Sequence, residues 1–448
     1  MNLTAFYRSS IVAVSIFGLL ITGCTNTAPL TETDSEQQQG KKAENLSPKE
    51  WLELNSFQLN SAEPGTDLKD IEPLRQMIGS ASIVGLGEAN HGSREIYTMK
   101  HRFVEFLVME MGFTTLVLEE NWGNALKLDH YVLTGEGNPS KFLMPIFQSK
   151  EIVDMLEWMR EYNADPENET KLRVVGMDVQ NVSENVYDEI SQYIKKYKPD
   201  LLPRVNNKMK ELAEATKDLE TYSALPVAIQ KKHQEQAKEI TEILEQNKKH
   251  LNDQSKEFAR IKQHAKVIEQ FTGMYFNFSE NPSELFLKHD IAMFENAKWA
   301  HEQLGKTIVW GHNGHIAKNN MLKEVYPKLA GQHLLEHYGK EYVTIGTSFG
   351  KGDYNAFNLE NKIVPATIQS NDPKTFNHTL DQVSKDQYFV DLRNATGLTQ
   401  KWLEEERPFL IGFGSADPSK PNSITTSLGQ AFDILIHIDT VSAGELVR

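Results

Sequence analysis

The chain has 448 residues, of which 24% are charged and 39% hydrophobic, and its formal net charge is −15 at pH 7. This acidic excess argues against nucleic acid or an anionic membrane surface as a binding partner. The length is compatible with two or three domains, or with one large α/β domain that carries an inserted subdomain.

Residues 1–23 have the pattern of a bacterial lipoprotein signal peptide. Arg8 precedes an apolar run over residues 11–21, which is too short to span a bilayer as a helix. The run is followed by Gly23 and Cys24, and this resembles a lipobox, in which the cysteine is lipidated. Cys24 is also the only cysteine, so no intramolecular disulfide can form. We predict an exported protein that is lipid-anchored through Cys24 to the outer face of the bacterial cell membrane.

Residues 24–46 are predicted to form a flexible tether, because they contain no aromatic residue and few large aliphatic ones. Further along the chain, short apolar runs predict strands. An amphipathic run over residues 93–111 predicts a helix packed on a sheet. Strands that alternate with helices indicate an α/β fold with a largely parallel, layered sheet flanked by helices. The predicted strands are residues 82–86, 115–118, 172–177, 307–310, 342–347, 388–391, 409–413 and 434–438.

Residues 185–300 show almost no strand signal. They are rich in Lys, Glu and Gln, with apolar residues at helical spacing, which predicts an inserted helical bundle subdomain. The catalytic α/β core is then divided into residues 47–184 and residues 301–448. The scattered histidines of the insertion, such as His233, His250 and His264, are expected at the surface.

Ionisable side chains follow several of the predicted strands. The carboxyl ends of parallel strands meet at one edge of a sheet, where ligands bind in folds of this class. We therefore expect these side chains to form a single site. In chain order they are Glu88 with His91, Glu119, Asp178, and His312 with His315.

Two chemistries are compatible with this set of histidines and carboxylates. In the first, a neutral histidine is the general base that activates water, and carboxylates fix its tautomer and orientation. In the second, a divalent metal ion lowers the pKa of a bound water. The ligands would then be His91, Glu88, His312 and His315. A lipoprotein that binds a ligand without turnover is a third hypothesis.

Two further patterns are weaker. Residues 346–350, G-T-S-F-G, match the nucleophile elbow G-x-S-x-G, but the sequence after Ser348 is typical of a loop and not of the required helix. Residues 85–90 approach the dinucleotide-binding fingerprint, but Asn90 replaces its third glycine and Glu88 would repel a pyrophosphate. We expect neither a serine nucleophile nor a dinucleotide cofactor.

Several longer motifs together resemble the erythromycin esterase family, from residue 47 to residue 441. The motifs are G-E-A-N-H-G at residues 87–92, M-K-H-R-F-V-E-F-L-V-M-E-M-G-F at 99–113, L-E-E-N-W at 118–122, V-V-G-M-D-V-Q at 174–180, H-D-I-A-M at 289–293 and W-G-H-N-G-H at 310–315.

The resemblance implies a hydrolase that acts on a macrolactone or another carboxylic ester, with a small-molecule ester as its partner and no cofactor. It implies that His91 activates water, and that Glu88, Glu119 and His312 shape the site. No acyl-enzyme is then expected, and a macrolide substrate would connect the protein to antibiotic resistance.

Further residues are expected to bind the substrate or its developing oxyanion. Lys100 and His289 stand where relatives carry arginine. Lysine lacks the planar fork of arginine, so contacts to a substrate differ there. These changes agree with ester hydrolysis but do not specify a macrolide. The predicted substrate-binding residues are Lys100, Arg102, Trp122, Asp178, Asn313 and His315.

Overall fold

The predicted signal peptide, Cys24 and nearly all of the predicted tether lie outside the residues that the computed structural model describes. Among the described residues, no helix has the length and apolar character needed to cross a membrane. The described residues are 45–278, 280–369, 371–412, 414–417 and 422–447.

A nine-stranded sheet forms the centre of the fold, in the order β1-β8-β11-β6-β2-β5-β3-β4, with β7 paired to β6. The pairings that connect β11, β6, β2, β5, β3 and β4 are parallel, whereas β1, β7 and β8 pair antiparallel. This confirms the predicted α/β class. The strands are Phe57–Gln58 (β1), Ile83–Glu88 (β2), Thr115–Asn121 (β3), Arg173–Asp178 (β4), Thr307–His312 (β5), Tyr342–Phe357 (β6), Ile363–Gln369 (β7), Gln387–Asp391 (β8), Arg407–Leu410 (β9), Ser423–Thr426 (β10) and Ile434–Val441 (β11).

The parallel strands are almost continuously apolar because helices cover both faces of the sheet. Neighbouring side chains of a strand point to opposite faces, so Leu116 and Val117 belong to separate hydrophobic clusters. The helices are Pro48–Asn55 (α1), Leu74–Ile78 (α2), Arg94–Met111 (α3), Trp122–Thr134 (α4), Lys150–Ala164 (α5), Glu184–Tyr197 (α6), Leu202–Ala215 (α7), Leu219–Ser223 (α8), Val227–Gln246 (α9), Lys256–Met274 (α10), Pro282–Leu304 (α11), Asn313–Ile316 (α12), Ala330–Tyr338 (α13), Phe376–Leu380 (α14), Gly397–Glu404 (α15) and Leu428–Ala431 (α16).

The predicted helical region between β4 and β5 is present as α6 to α11. Its predicted end at residue 300 falls inside α11, which packs on β4 and belongs to the sheet layer. The surface prediction is wrong for His233 and His264, which are buried, and it holds for the exposed His250. The cost of burying His264 is offset because both ring nitrogens have partners: Nδ1 accepts from Trp122 Nε1 at 3.0 Å, and Nε2 lies 3.0 Å from Glu189 Oε2.

Two of the predicted strands, β8 and β9, do not belong to the parallel part of the central sheet. β8 runs antiparallel to β11, and β9 pairs with β10 in a separate two-stranded sheet. Ser348 lies inside β6 and is fully buried, with Oγ 3.1 Å from His437 Nδ1. A residue in the middle of a strand is not at a strand-to-helix turn, so the nucleophile elbow is absent at Ser348.

Candidate active site

The candidate site lies at the carboxyl ends of β2, β3 and β5. β2 pairs with β5 in a register that places Glu88 opposite His312. In β3, the register against β4 shifts between Leu118 and Asn121. Such an irregularity redirects side chains locally. It occurs at Glu119, which faces the ends of the neighbouring strands.

Both oxygens of the buried Glu88 carboxylate are hydrogen-bonded. Oε1 lies 2.5 Å from His91 Nδ1. Oε2 accepts hydrogen bonds from Lys100 Nζ at 2.8 Å and from Trp310 Nε1 at 2.9 Å. Lys100 Nζ also lies 3.8 Å from the centroid of the Trp310 ring. Glu88 therefore fixes the orientation of His91 through Nδ1 and leaves Nε2 for other contacts.

Glu88, His91 and Lys100 shift one another's pKa values. Burial opposes ionisation of Glu88, but Lys100 and His91 hold the pKa of the carboxyl at about 2. Burial also opposes protonation of His91, but Glu88 and Glu119 raise the pKa of the imidazole above 6.5. Burial lowers the pKa of Lys100 to about 8, against the effect of Glu88. His91 is therefore a strengthened base beside an ionised carboxylate.

Glu119 connects the three histidines of the cleft. Its Oε2 accepts a hydrogen bond from the backbone N–H of His312 at 2.6 Å. Its Oε1 lies 3.9 Å from His91 Nε2 and 3.8 Å from His315 Nε2. The ring nitrogens of His91 and His315 thus face the same carboxylate oxygen.

His312 is a neutral histidine whose tautomer follows from its contacts. Its Nδ1 accepts a hydrogen bond from the backbone N–H of Gly314 at 3.3 Å. Its Nε2 lies 3.2 Å from the carbonyl oxygen of Gly412, to which it donates. Burial and the neighbouring His91 and His315 hold the pKa of His312 well below its ordinary value. His312 is therefore an uncharged N–H donor, with its ring centroid 5.1 Å from that of His91.

A second group of histidines and carboxylates lies next to the first. Asp290 Oδ1 is 2.9 Å from His315 Nδ1, and Asp178 Oδ1 is 2.8 Å from His289 Nε2. His289 Nδ1 also lies 3.4 Å from Asp290 Oδ2. Although burial opposes protonation, Asp290 raises the pKa of His315 and Asp178 raises that of His289.

This second group could hold a metal ion. The donor atoms of His289, Asp290 and His315 all lie within 4.8 Å of one another. The set differs from the predicted one, of which it contains only His315. The imidazole nitrogens already form hydrogen bonds to carboxylates, so a metal ion would replace these bonds.

Comparison with known proteins identifies the family. Residues 108–441 match the family model described as Erythromycin esterase. The chain belongs to the erythromycin esterase family. The putative hydrolase YbfO of Bacillus subtilis is 24% identical over 320 residues, which are 66% of this chain and 70% of that protein. The type II erythromycin esterase of Escherichia coli is 26% identical over 133 residues, 29% of this chain and 31% of that one. Family membership and these names support a hydrolase.

Solved structures agree with this family fold. A Bacillus cereus protein has a TM-score of 0.88 and 52% identity, covering 90% of this chain and 98% of that one. A protein described as a succinoglycan biosynthesis protein has a TM-score of 0.83 and 36% identity, with 92% and 99% covered. A mutant erythromycin esterase in its open conformation has a TM-score of 0.70 at 18% identity, covering 88% and 99%, and shows the fold alone.

Two of the predicted substrate-binding residues, Lys100 and Arg102, are buried in the interior of the protein. Lys100 is fully buried between Glu88 and Trp310. Arg102 is fully buried on the same helix and binds Asp70, with Nη2 2.6 Å from Oδ1. Each side chain is bound by a carboxylate, Lys100 by Glu88 and Arg102 by Asp70. Contact of either residue with a substrate or oxyanion stays a prediction. Both residues lie on helix α3, whose residues 96–108 are all buried, whereas the amphipathic pattern predicts burial of one face only.

Two other predicted contacts are also structural. Trp122 packs edge-on against Trp299 and donates to His264, within the hydrophobic cluster under the helical region. Asn313 is fully buried, and its side-chain amide bonds the backbone of Thr347. A Cβ at Gly87 would lie 2.3 Å from Asn313 Oδ1, so only glycine is compatible with this approach. Asp178 and His315 lie in the second group of the site, where Asp178 contacts His289 and His315 contacts Asp290. Their role in substrate binding stays a prediction.

Sequence reasoning missed several residues that shape the site. Asp290 orients His315, and Trp310 donates to Glu88. Phe147 packs edge-on against His91, with ring centroids 5.5 Å apart. Tyr97 lies outside the family motifs, and its hydroxyl accepts a hydrogen bond from the backbone N–H of Gly92 at 2.7 Å. Asp290 and Trp310 both lie in family motifs, at residues 289–293 and 310–315, which was a usable signal. Phe147 and Tyr97 were indistinguishable from core residues.

Replacement of Lys100 by methionine is expected to destabilise the fold. The change removes the cation that faces Glu88 and leaves a buried carboxylate without its main partner. We expect the free energy of unfolding to fall by about 3–5 kcal/mol at neutral pH, measured by urea denaturation. Lys69→Met is the control, because the Lys69 ion pair with Asp67 is exposed. Equal stability of Lys100→Met and the wild type would contradict the charge-compensating role.

Proposed function

We propose that this protein is a carboxylic-ester hydrolase in which His91 activates the attacking water. The observation that supports this most strongly is the Glu88–His91 pair. Glu88 binds Nδ1 and strengthens the imidazole as a base, while Nε2 lies 3.9 Å from Glu119 Oε1. A strengthened base held in one tautomer at the carboxyl ends of the parallel strands is the arrangement that general-base hydrolysis requires.

The reaction has two proton transfers. His91 Nε2 takes a proton from water as the water oxygen forms a bond to the ester carbonyl carbon. The carbonyl π electrons move to oxygen and give a tetrahedral oxyanion. When this intermediate collapses, the bond to the alkoxide breaks and His91 returns the proton to the leaving oxygen. The products are a carboxylic acid and an alcohol, and Glu88 stabilises the transient imidazolium.

His312 is our candidate donor to the oxyanion. It is neutral, and its one N–H, on Nε2, donates to the carbonyl oxygen of Gly412. In the proposed reaction this N–H turns from that carbonyl to the developing oxyanion. A neutral donor in a buried site stabilises developing negative charge without losing its own proton. Glu119 holds the backbone of His312 and thereby the ring.

The substrate class that we propose is a small carboxylic ester or lactone. We also propose that a lipid anchor on Cys24 keeps the enzyme at the outer surface of the membrane. The test of the function is an ester panel that includes macrolides, incubated with protein lacking residues 1–45 and analysed by mass spectrometry. We expect at least one product that has gained one water. A panel without any hydrolysis would contradict the proposal.

A metal-dependent hydrolase is the second candidate, because His289, Asp290 and His315 could hold a divalent ion. The two functions differ in their response to chelation. The His91 proposal predicts that protein treated with EDTA and shown to be metal-free by elemental analysis keeps its turnover number. Loss of activity on chelation and recovery with one metal per chain would favour the second candidate.

A further inference from the structure

Glu120 is a buried carboxylate next to Glu119 that the proposed reaction does not use. The side chain is fully buried, and three donors surround it. Oε1 accepts from the backbone N–H of Asn121 at 2.8 Å and from Asn124 Nδ2 at 3.0 Å. Oε2 accepts from the backbone N–H of Met144 at 2.6 Å. Burial raises its pKa to about 7, although these donors oppose the shift.

The bond to Met144 holds the segment that covers His91. A short 3-10 helix, Pro145–Phe147, follows directly, and the N–H of Phe147 donates to the carbonyl of Met144 at 2.8 Å. Phe147 is buried and places its ring edge-on against His91, at an interplanar angle of 85°. Glu120 is thus connected to His91 through one hydrogen bond, one turn and one ring contact.

The other end of the segment is held separately. The N–H of Lys150 donates to the carbonyl of Glu445 at 2.7 Å, and the N–H of Val447 donates to the carbonyl of Gln148 at 3.0 Å. These bonds restrain the chain after Phe147. Before Phe147, Met144 donates to Glu120, and the carbonyl of Leu143 accepts a hydrogen bond from Gln148 Nε2 at 3.0 Å. The orientation of Phe147 therefore depends on both ends.

We propose that Glu120 is a positioning residue for the hydrolysis, which acts by fixing Met144 so that Phe147 confines the His91 imidazole. The proposal rests on the proposed role of His91. Glu88 holds the ring at Nδ1 and Phe147 packs against one side of it, so the two contacts together restrain the position of Nε2. A small displacement of a base from its working geometry is costly, even when the change is remote from the chemistry.

Glu120→Gln tests the proposal with little change in shape. Glutamine has a single acceptor oxygen and cannot serve Met144 on one side and Asn121 on the other. We expect kcat/KM for the ester to fall by about 10- to 100-fold, mainly through kcat. Diethyl pyrocarbonate labelling of His91, resolved by peptide mass spectrometry, is expected to become several-fold faster because Phe147 no longer shields the ring.

A double-mutant cycle shows whether Glu120 acts through Phe147. If it does, Glu120→Gln causes no further loss of activity in a variant that lacks the Phe147 ring. The double variant Glu120→Gln/Phe147→Ala then has a kcat/KM within about twofold of that of Phe147→Ala. Met144→Pro is a second variant, since φ of Met144 is −57°, an angle that proline adopts, and proline lacks the N–H that Glu120 accepts. It is expected to reproduce the faster labelling of His91.

Asp129→Asn is the matched control. Asp129 is also a buried carboxylate that accepts a backbone N–H, from Val174 at 2.9 Å, but it does not contact the 144–147 segment. We expect it to leave the labelling rate of His91 unchanged. Wild-type labelling and turnover in Glu120→Gln, or multiplicative losses in the double variant, would overturn the proposal. Because labelling needs no substrate, it tests the positioning even if the ester hydrolysis itself is absent.

Discussion

Replacement of His91 by alanine is expected to lower kcat/KM for ester hydrolysis by about 10²- to 10⁴-fold. The variant lacks the base that takes the proton from water, and the other nearby imidazoles cannot replace it. His312 is neutral but donates its proton to Gly412, and His315 is bound to Asp290. The measurement is steady-state hydrolysis of the best ester of the panel.

His130→Ala is the matched control for this variant. His130 is exposed, and within the described part of the chain its side chain forms an ion pair with Glu136 alone. We expect it to keep wild-type activity, and both variants to retain the wild-type thermal midpoint within a few degrees. Wild-type turnover by His91→Ala would remove His91 from the mechanism.

Replacement of Glu88 by glutamine is expected to cause a loss of similar size and to change the pH dependence. His91 acts as a base only when neutral, so kcat/KM of the wild type rises with pH until the pH exceeds the pKa of His91. Glu88 is a main cause of the raised pKa. Without this carboxylate, burial of the ring remains and lowers the pKa. The acid limb of the Glu88→Gln profile is therefore expected at lower pH than in the wild type. Above this limb, kcat/KM is expected to reach a plateau that lies below the wild-type plateau.

A loss of stability would complicate the Glu88→Gln result, because Lys100 loses its counter-ion. The double variant Glu88→Gln/Lys100→Met removes both charges and is expected to unfold at higher denaturant concentration than Glu88→Gln alone. Its activity is expected to stay low, since the partner of His91 is still missing. Recovery of wild-type activity in the double variant would show that Glu88 serves only to balance Lys100.

The sequence contained enough information for the sheet and for the edge where the site lies. Buried parallel strands are continuous apolar runs. The first ionisable residues after the apolar runs of β2, β3 and β5 are Glu88, Glu119 and His312. A strand end is a position that pattern and turn residues define locally. This is why these side chains could be assigned to one edge before any contact was known.

The partners of these residues depend on side-chain direction, which the sequence pattern did not resolve. Lys100 and Arg102 are two positions apart on α3, and both point into the interior, where separate carboxylates bind them. Asp290 comes from α11, far from the strand ends in sequence. Phe147 reaches His91 from a segment without periodicity. Contacts of this kind arise from tertiary packing.

The central claim is that water, activated by His91, attacks the ester carbonyl directly. It is tested most directly by rapid mixing of the enzyme with a p-nitrophenyl ester, whose good leaving group makes an acyl-enzyme accumulate if one forms. Our account predicts linear p-nitrophenolate release from the first turnover and an unchanged protein mass. A burst that matches the enzyme concentration, with an acyl group on Ser348 or another side chain, would contradict it.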